Sequence, residues 1–140
     1  MFLALSAGAT EAPEVFSPAP DVKAIVITKA NDLTWKVDYN GSKNKGNVSL
    51  DTEREIHIDV NDFDFSGHLG FSVWHVDDGM GTYTVFRVFT YSQPTNEFVE
   101  RSPACGDEFV NLKIDKKRHY LISTYWDQNI PKTCITRLQK

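Results

Sequence analysis

Short runs of β-branched and aromatic residues, separated by turn residues, recur along this chain. Residues 33–39 alternate apolar with polar side chains at period two, and residues 56–60 do the same. Such alternation is typical of a strand with one buried face. No segment keeps a helical period for longer than about two turns. The pattern predicts an all-β, mostly antiparallel domain, built as a meander, an open barrel or a propeller-like fold.

Two neighbouring runs, residues 71–76 and 82–91, are apolar on both faces. Two-sided hydrophobicity is typical of central strands that are covered on each side. We therefore expect these runs to pair as the central hairpin. A second strong pair, residues 109–114 and 119–126, flanks a charged turn that we interpret as a solvated hairpin tip.

The size of the chain sets its domain count. With 140 residues, of which 41% are hydrophobic, it is long enough for one domain with a core and too short for two. Pro13, Pro18 and Pro20 predict an extended N-terminal segment over residues 10–22, which leaves residues 23–140 as the β domain. The net charge is −4 and the sequence has no basic stripe, so we expect no nucleic-acid partner.

The first nine residues are apolar and end in Ala7-Gly8-Ala9, a small-residue pattern of the kind that precedes secretory cleavage. We interpret residues 1–9 as the remnant of a secretory leader, which predicts an exported protein. The alternative is a merely flexible apolar end. No other stretch reaches the roughly 20 apolar residues that span a bilayer, so we expect no membrane insertion of the mature form.

The chain has two cysteines, Cys105 and Cys134. An even count in an exported chain favours a disulfide, and here only one pairing exists. The alternative is a pair of buried free thiols in a cytosolic protein. Neither cysteine lies in a Cys-x-x-Cys pair or beside a histidine, so we favour a structural bridge over zinc or thiol chemistry.

An acid-rich turn leads directly into the first central strand. Carboxylates at alternate positions with a glycine in the sixth place are the spacing by which a tight loop turns oxygens onto a hard cation such as calcium. A turn of the same shape without a metal explains the spacing equally well. The alternate oxygens of this turn belong to Asp62, Asp64 and Ser66, and the resemblance described below adds His68 to the expected ligands through its backbone carbonyl.

Motifs of the common enzyme classes are missing from the sequence. It contains no Gly-x-Ser-x-Gly, no His-Glu-x-x-His and no phosphate-binding glycine loop. The four histidines stand on separate predicted strands and turns without ligand spacing. We therefore expect a protein that is not an enzyme.

Two predicted loops have the composition of protein interfaces. Each combines an aromatic residue with acids, and tryptophan and tyrosine dominate the binding energy of many interfaces. The alternative is that the two tryptophans belong to the core and only the loop tips are solvated. The expected partner-binding residues are Trp74, His75, Asp77, Asp78 and Met80 in the first loop, and Trp126 and Asp127 in the second.

Five segments together carry a family resemblance: residues 62–68, 70–73, 79–83, 89–91 and 96–98. They resemble the repeat of small exported bacterial proteins with FG-GAP-like, EF-hand-type acidic turns, over residues 59–126 at the widest. The resemblance implies that Asp62 and Asp64 match the first two calcium ligands and that Ser66 stands at the third. Gly70 departs from the family's closing acid.

Relatives of that kind include periplasmic immunity proteins, which protect a bacterium from peptidoglycan-degrading toxins delivered by contact-dependent secretion systems such as type VI. The resemblance implies a periplasmic protein whose partner is a cognate effector toxin and whose loop occludes the toxin's active site. Calcium is the only cofactor it suggests. A calcium-dependent module that binds glycan or the cell envelope is the second interpretation, and a cell-wall hydrolase is the third.

Overall fold

The structure is a computed structural model that describes residues 13–139. The leader assigned to residues 1–9 therefore lies outside the described residues. Eleven β-strands form the described part. Their bounds are Glu14–Phe16 (β1), Val22–Lys29 (β2), Asp32–Tyr39 (β3), Ser42–Ser49 (β4), His57–Asn61 (β5), Gly70–Val76 (β6), Thr84–Ser92 (β7), Glu97–Arg101 (β8), Phe109–Asp115 (β9), Tyr120–Asp127 (β10) and Ile130–Thr136 (β11).

The strands form two antiparallel sheets, which confirms the predicted all-β fold. The four-stranded sheet has the order β1-β2-β3-β4, and the seven-stranded sheet runs β11-β10-β9-β7-β6-β5. Strand β7 pairs with β9 near its beginning and with β8 over its second half. Both sheets are open, and neither closes into a barrel. Across residues 13–139, no helix is long and apolar enough to cross a membrane.

The proline-rich N-terminal segment contains one short strand. Glu14–Phe16 forms β1 and pairs with β2 at the edge of the four-stranded sheet. We expected this segment to be extended without regular pairing. The pairing is tolerated because Pro13 and Pro18 flank the strand and a strand at an edge needs only one row of backbone hydrogen bonds.

The main hydrophobic core lies between the two sheets. Strands β2 and β3 place Val26 and Leu33 in it, and the seven-stranded sheet adds Phe71 and Phe89, whose rings stack at 4.7 Å. Trp35 packs on both of these rings, with centroids 5.8 Å and 5.2 Å away. This agrees with the period-two pattern of residues 33–39 for Leu33, Trp35 and Val37. Tyr39, at the end of β3, is exposed.

A second core cluster covers the opposite face of the seven-stranded sheet. It contains Phe63, Val88, Phe109 and Leu121, all buried. Val88 and its neighbour Phe89 therefore belong to different cores, as alternate strand residues should. Because β6 and β7 are covered on both faces, the expectation that they form the central hairpin is confirmed.

The seven-stranded sheet curls around this second cluster. Phe65, in the turn after β5, stacks on His119, in the turn before β10, with ring centroids 5.0 Å apart. Three strands, β6, β7 and β9, separate β5 from β10 in the sheet. The two turns can meet only if the sheet bends toward the face that carries the second cluster, so that face is concave.

The predicted disulfide is present between Cys105 and Cys134, with the Cα atoms 5.8 Å apart. It joins the segment between β8 and β9 to β11, and Cys134 is completely buried. Ala104, the residue before Cys105, also donates its backbone N–H to the Thr136 hydroxyl at 2.9 Å. The bridge therefore fastens an irregular segment to the edge of the seven-stranded sheet.

Candidate functional site

Two loops meet at one end of the seven-stranded sheet. Residues 77–83 connect β6 to β7, and residues 128–129 connect β10 to β11. Tyr83 packs edge-on against Trp126 with ring centroids 4.9 Å apart. The two loops that the sequence singled out separately are therefore neighbours in space. The sequence analysis did not predict Tyr83 as a site residue. Its position, as an aromatic residue immediately before a strand, was the signal that could have identified it.

These loops expose large apolar side chains to solvent. The exposed fraction is 89% for Met80, 58% for Ile130, 39% for Trp126 and 38% for Tyr83. We call these four residues the loop surface. Single exposed apolar residues are ordinary, but a concentration of them at one end of a domain is a feature of binding sites.

Asp77 organises the first loop from within. Its carboxylate accepts hydrogen bonds from the backbone N–H groups of Gly79 (3.0 Å), Gly81 (3.2 Å), Thr82 (2.8 Å) and Tyr83 (2.7 Å). These donors, that of Tyr83 foremost, lower the pKa of Asp77 below its ordinary value. The carboxylate, which we expected among the partner-binding residues, thus fixes the path of the loop.

Asp78 fastens the same loop to the segment before β5. Its Oδ1 accepts hydrogen bonds from the Thr52 hydroxyl at 2.7 Å and from the Glu53 backbone N–H at 3.1 Å. The Thr52 hydroxyl is the main reason why the pKa of Asp78 lies below its ordinary value. His75 is half-buried, with Nδ1 2.8 Å from the Val76 carbonyl oxygen and 3.9 Å from the Asp78 carboxylate. Both side chains therefore support the loop.

Trp74 lies in a ladder of rings that crosses three strands. His57 on β5 stacks on it at 4.2 Å, and Phe86 on β7 stacks at 5.6 Å. These neighbours stand on opposite sides of β6, so both faces of the indole are covered. Its Nε1 donates to Asp59 at 3.0 Å. Trp74 therefore stabilises the sheet through cross-strand contacts, and Trp126 is the tryptophan at the loop surface.

Asp127, the other predicted residue of the second loop, pairs with a lysine across the β10–β11 hairpin. Its carboxylate lies 3.1 Å from Lys132 Nζ, and both side chains are about half exposed. An exposed pair of this kind contributes little to stability. Its effect is to place one negative and one positive charge beside Trp126, at the rim of the loop surface.

The acidic turn lies at the opposite end of the sheet and is closed by its own backbone. Asp62 accepts hydrogen bonds from the N–H groups of Ser66 at 3.1 Å and Gly67 at 2.7 Å. Asp64, which is buried, accepts from the Ser66 N–H at 3.2 Å and hydroxyl at 2.6 Å. His68 donates its N–H to the Ser66 hydroxyl at 3.2 Å. The side chains predicted as ligands thus already stabilise the turn.

The turn lacks the acid that closes an EF-hand-type calcium loop, because Gly70 stands at that position. Calcium takes about six to eight oxygen ligands, commonly with a bidentate acid that closes the loop. No side chain can be added at Gly70, because its Cβ would overlap the backbone carbonyl of Phe89. Within residues 13–139, no group of three or more His, Cys, Asp or Glu side chains is placed to hold a metal ion. Calcium binding stays a prediction of the resemblance alone.

Metal removal tests that prediction. A ligand that binds only the folded state raises the melting temperature. Since backbone donors already hold the turn, we expect excess EDTA to change the melting temperature by less than about 1 °C.

Asp62→Ala should lower the free energy of unfolding by about 1–2 kcal/mol with or without calcium, because two backbone N–H groups lose their acceptor. Asp107→Ala, at an exposed position, is the control. A calcium-induced rise in melting temperature that Asp62→Ala removes would instead establish the calcium module.

The lowered pKa of Asp77 predicts a pH dependence of the loop. The pKa of Asp77 in the folded protein lies below the ordinary value of 3.8. Above pH 3.8 the ionised carboxylate therefore stabilises the loop in full. This stabilisation is lost as the pH falls through the lower pKa of the folded state. We expect the amide resonances of residues 79–83 to move only below pH 3.8. Asp77→Asn, which keeps an acceptor and removes the titration, should abolish the transition. A midpoint at or above 3.8 would contradict the assigned contacts.

Comparison of the chain with known protein families, with curated proteins and with solved structures gives no match. The function is therefore argued from the loops and their geometry.

Proposed function

We propose that this chain binds another protein through the loop surface and catalyses no reaction. The observation that carries the proposal is the contact between Tyr83 and Trp126, which joins two loops into one exposed aromatic surface. Tyrosine and tryptophan bury a large area at a small entropic cost and are enriched among the residues that dominate binding. Met80 and Ile130 extend the apolar area around them.

The hydrogen bonds of Asp77 and Asp78 support the proposal in a second way. A loop that is fixed before binding loses less conformational entropy when the complex forms. Four backbone donors on Asp77 and two donors on Asp78 fix this loop to itself and to residues 52–53. In the proposed mechanism the acids position Met80 and Tyr83, and Trp126 is the anchor that enters the partner.

The partner we propose is a toxin that degrades the cell wall, with this chain as its periplasmic inhibitor. The support comes from the resemblance of residues 59–126 to exported proteins with acidic turns, from the leader-like residues 1–9, and from the disulfide, which fits an oxidising compartment. We expect the two neighbouring loops at this end of the domain to enter a cleft of the toxin. Inhibition would then follow from occlusion of the toxin's active site.

Hydrogen–deuterium exchange on the complex tests the position of the surface. We expect the gene beside this chain's own to encode a secreted cell-wall hydrolase, and that purified hydrolase is the probe. We expect protection on binding at residues 77–83 and 127–130, because these segments would be covered by the partner. The acidic turn, residues 62–68, at the other end of the sheet is the internal reference. Protection confined to that turn, or to the edge strands, would overturn the assignment of the loop surface.

A further inference from the structure

A cleft of about 570 Å³ opens on the concave face of the seven-stranded sheet. It extends from the second core cluster to the free edge of β5, the last strand of this sheet. The loop surface does not border it: Phe63 of the acidic turn and Lys116 of the turn after β9 do. An inference about the cleft is therefore independent of the proposed function.

One wall of the cleft is apolar. Phe86, Leu112 and Ile114 line it, from strands β7 and β9. All three are only partly buried, although they pack against the second core cluster. This wall would accept an aliphatic chain, because covering partly exposed apolar surface is favourable in proportion to its area.

The other wall carries hydrogen-bond acceptors with unused capacity. Ser72 is 1% exposed, and within the described chain its hydroxyl oxygen has no hydrogen-bond partner. Buried hydroxyl groups are almost always hydrogen-bonded, so an unpartnered one that lines a cleft indicates a missing partner. Asp59 lies directly opposite Ser72 in the β5–β6 register. One of its carboxylate oxygens accepts from the Trp74 indole, and in residues 13–139 the other accepts no hydrogen bond.

The charges around the cleft favour a cation over an anion. Asp59 is the charged group beside Ser72, and in the described residues it forms no ion pair with Lys116. Glu14 and Lys116 line the cleft as well and offset each other in formal charge. A carboxylate and a neutral hydroxyl side by side accept hydrogen bonds from one ammonium group, which has three donors and no acceptor.

We propose that this cleft binds a primary alkylammonium group, with the ammonium between the exposed Asp59 carboxylate and Ser72 and the aliphatic chain along Phe86, Leu112 and Ile114. A small organic amine and a lysine side chain share this chemistry. A lysine on an extended peptide would gain further hydrogen bonds, because on the side away from β6 the backbone of β5 pairs with no strand among residues 13–139.

The test is a titration of the ¹⁵N-labelled protein with n-hexylamine, n-hexanol and sodium hexanoate at neutral pH, monitored by NMR. We expect n-hexylamine to shift the Ser72 and Phe86 amide resonances with a Kd on the order of millimolar, as suits so small a ligand. The alcohol and the carboxylate should bind at least about fivefold more weakly, which corresponds to about 1 kcal/mol for an exposed charge pair. Equal binding of the three probes, or no saturable shift, would overturn the proposal.

Variants of the polar wall separate its contribution to binding from that of the apolar wall. Asp59→Asn keeps an acceptor for the Trp74 indole and removes the charge, so it should weaken n-hexylamine binding about fivefold and leave n-hexanol binding unchanged. Ser72→Ala should weaken amine binding without loss of stability, because the hydroxyl it removes has no partner in the fold. Glu97→Gln, on the exposed β8, is the matched control. Amine binding unaffected by Asp59→Asn would contradict the site.

The peptide acetyl-Val-Lys-Val-amide distinguishes the two sources of the amine. Shifts of the Ile58 and Val60 amide resonances, in addition to those of the cleft, would identify a lysine on an added strand. Shifts confined to the cleft would identify a free amine as the preferred ligand. Both results support the ammonium site, whereas equal shifts with acetyl-Val-Glu-Val-amide would refute it.

Discussion

Trp126→Ala is expected to weaken binding of the chain to its partner by about 30- to 1,000-fold, the range of a loss of about 2–4 kcal/mol. The indole is exposed at the centre of the loop surface and packs against Tyr83, so its removal takes away both an anchor and the support of the neighbouring ring. Isothermal titration calorimetry against the adjacent hydrolase measures the change. Tyr83→Ala should cost less, because Trp126 remains.

The control for that measurement is Val99→Ala. Val99 is a similarly exposed apolar residue on β8, away from both loops, and its truncation should leave the affinity unchanged. Far-ultraviolet circular dichroism should give the same spectrum for the wild type and all three variants. An affinity of Trp126→Ala equal to that of the wild type would contradict the assignment of Trp126 as an anchor.

Loss of the disulfide is expected to have the largest effect on stability. The bridge spans 29 residues, and constraining a loop of this length in the unfolded chain stabilises the fold by about 3–4 kcal/mol on the chain-entropy model. We expect the Cys105→Ser/Cys134→Ser variant to lose that amount of unfolding free energy in a urea titration. The buried Cys134 sulfur lies 3.7 Å from the Thr136 hydroxyl, so a serine at this position has a polar neighbour.

The matched variant Cys105→Ala/Cys134→Ala removes the bridge without placing a hydroxyl group at either position. It should lose about the same unfolding free energy as the serine variant, because the bridge is missing from both. Reduction of the wild-type protein should reproduce most of the loss. A change of less than about 1 kcal/mol in all three cases would show that the bridge constrains little of the unfolded chain.

Local pattern was enough to predict the strands of this fold. Period-two alternation placed Leu33, Trp35 and Val37 and the two covered faces of β6 and β7 correctly, since the face on which a strand residue lies depends on sequence parity. The division into two sheets and the curl of the larger one depend on pairings between distant segments. The contact of Phe65 with His119 is an example, and no short stretch of sequence encodes it.

The sequence predicted the location of the candidate site better than it predicted the roles of the individual residues. The composition of the two loops identified the end of the domain where Tyr83 and Trp126 meet. A sequence does not show which backbone groups a carboxylate binds, so the four N–H groups that donate to Asp77 were not predicted. For Trp74 the sequence left both an interface and a core position open, and the structure shows cross-strand rings on both its faces.

The most direct test of the central claim is an inhibition titration of the adjacent hydrolase on purified peptidoglycan. The account predicts that activity falls linearly to zero at one equivalent of this chain, that Trp126→Ala shifts or abolishes the titration, and that the chain alone releases no product from peptidoglycan. Full hydrolase activity in an excess of the chain, or turnover of peptidoglycan by the chain itself, would contradict it.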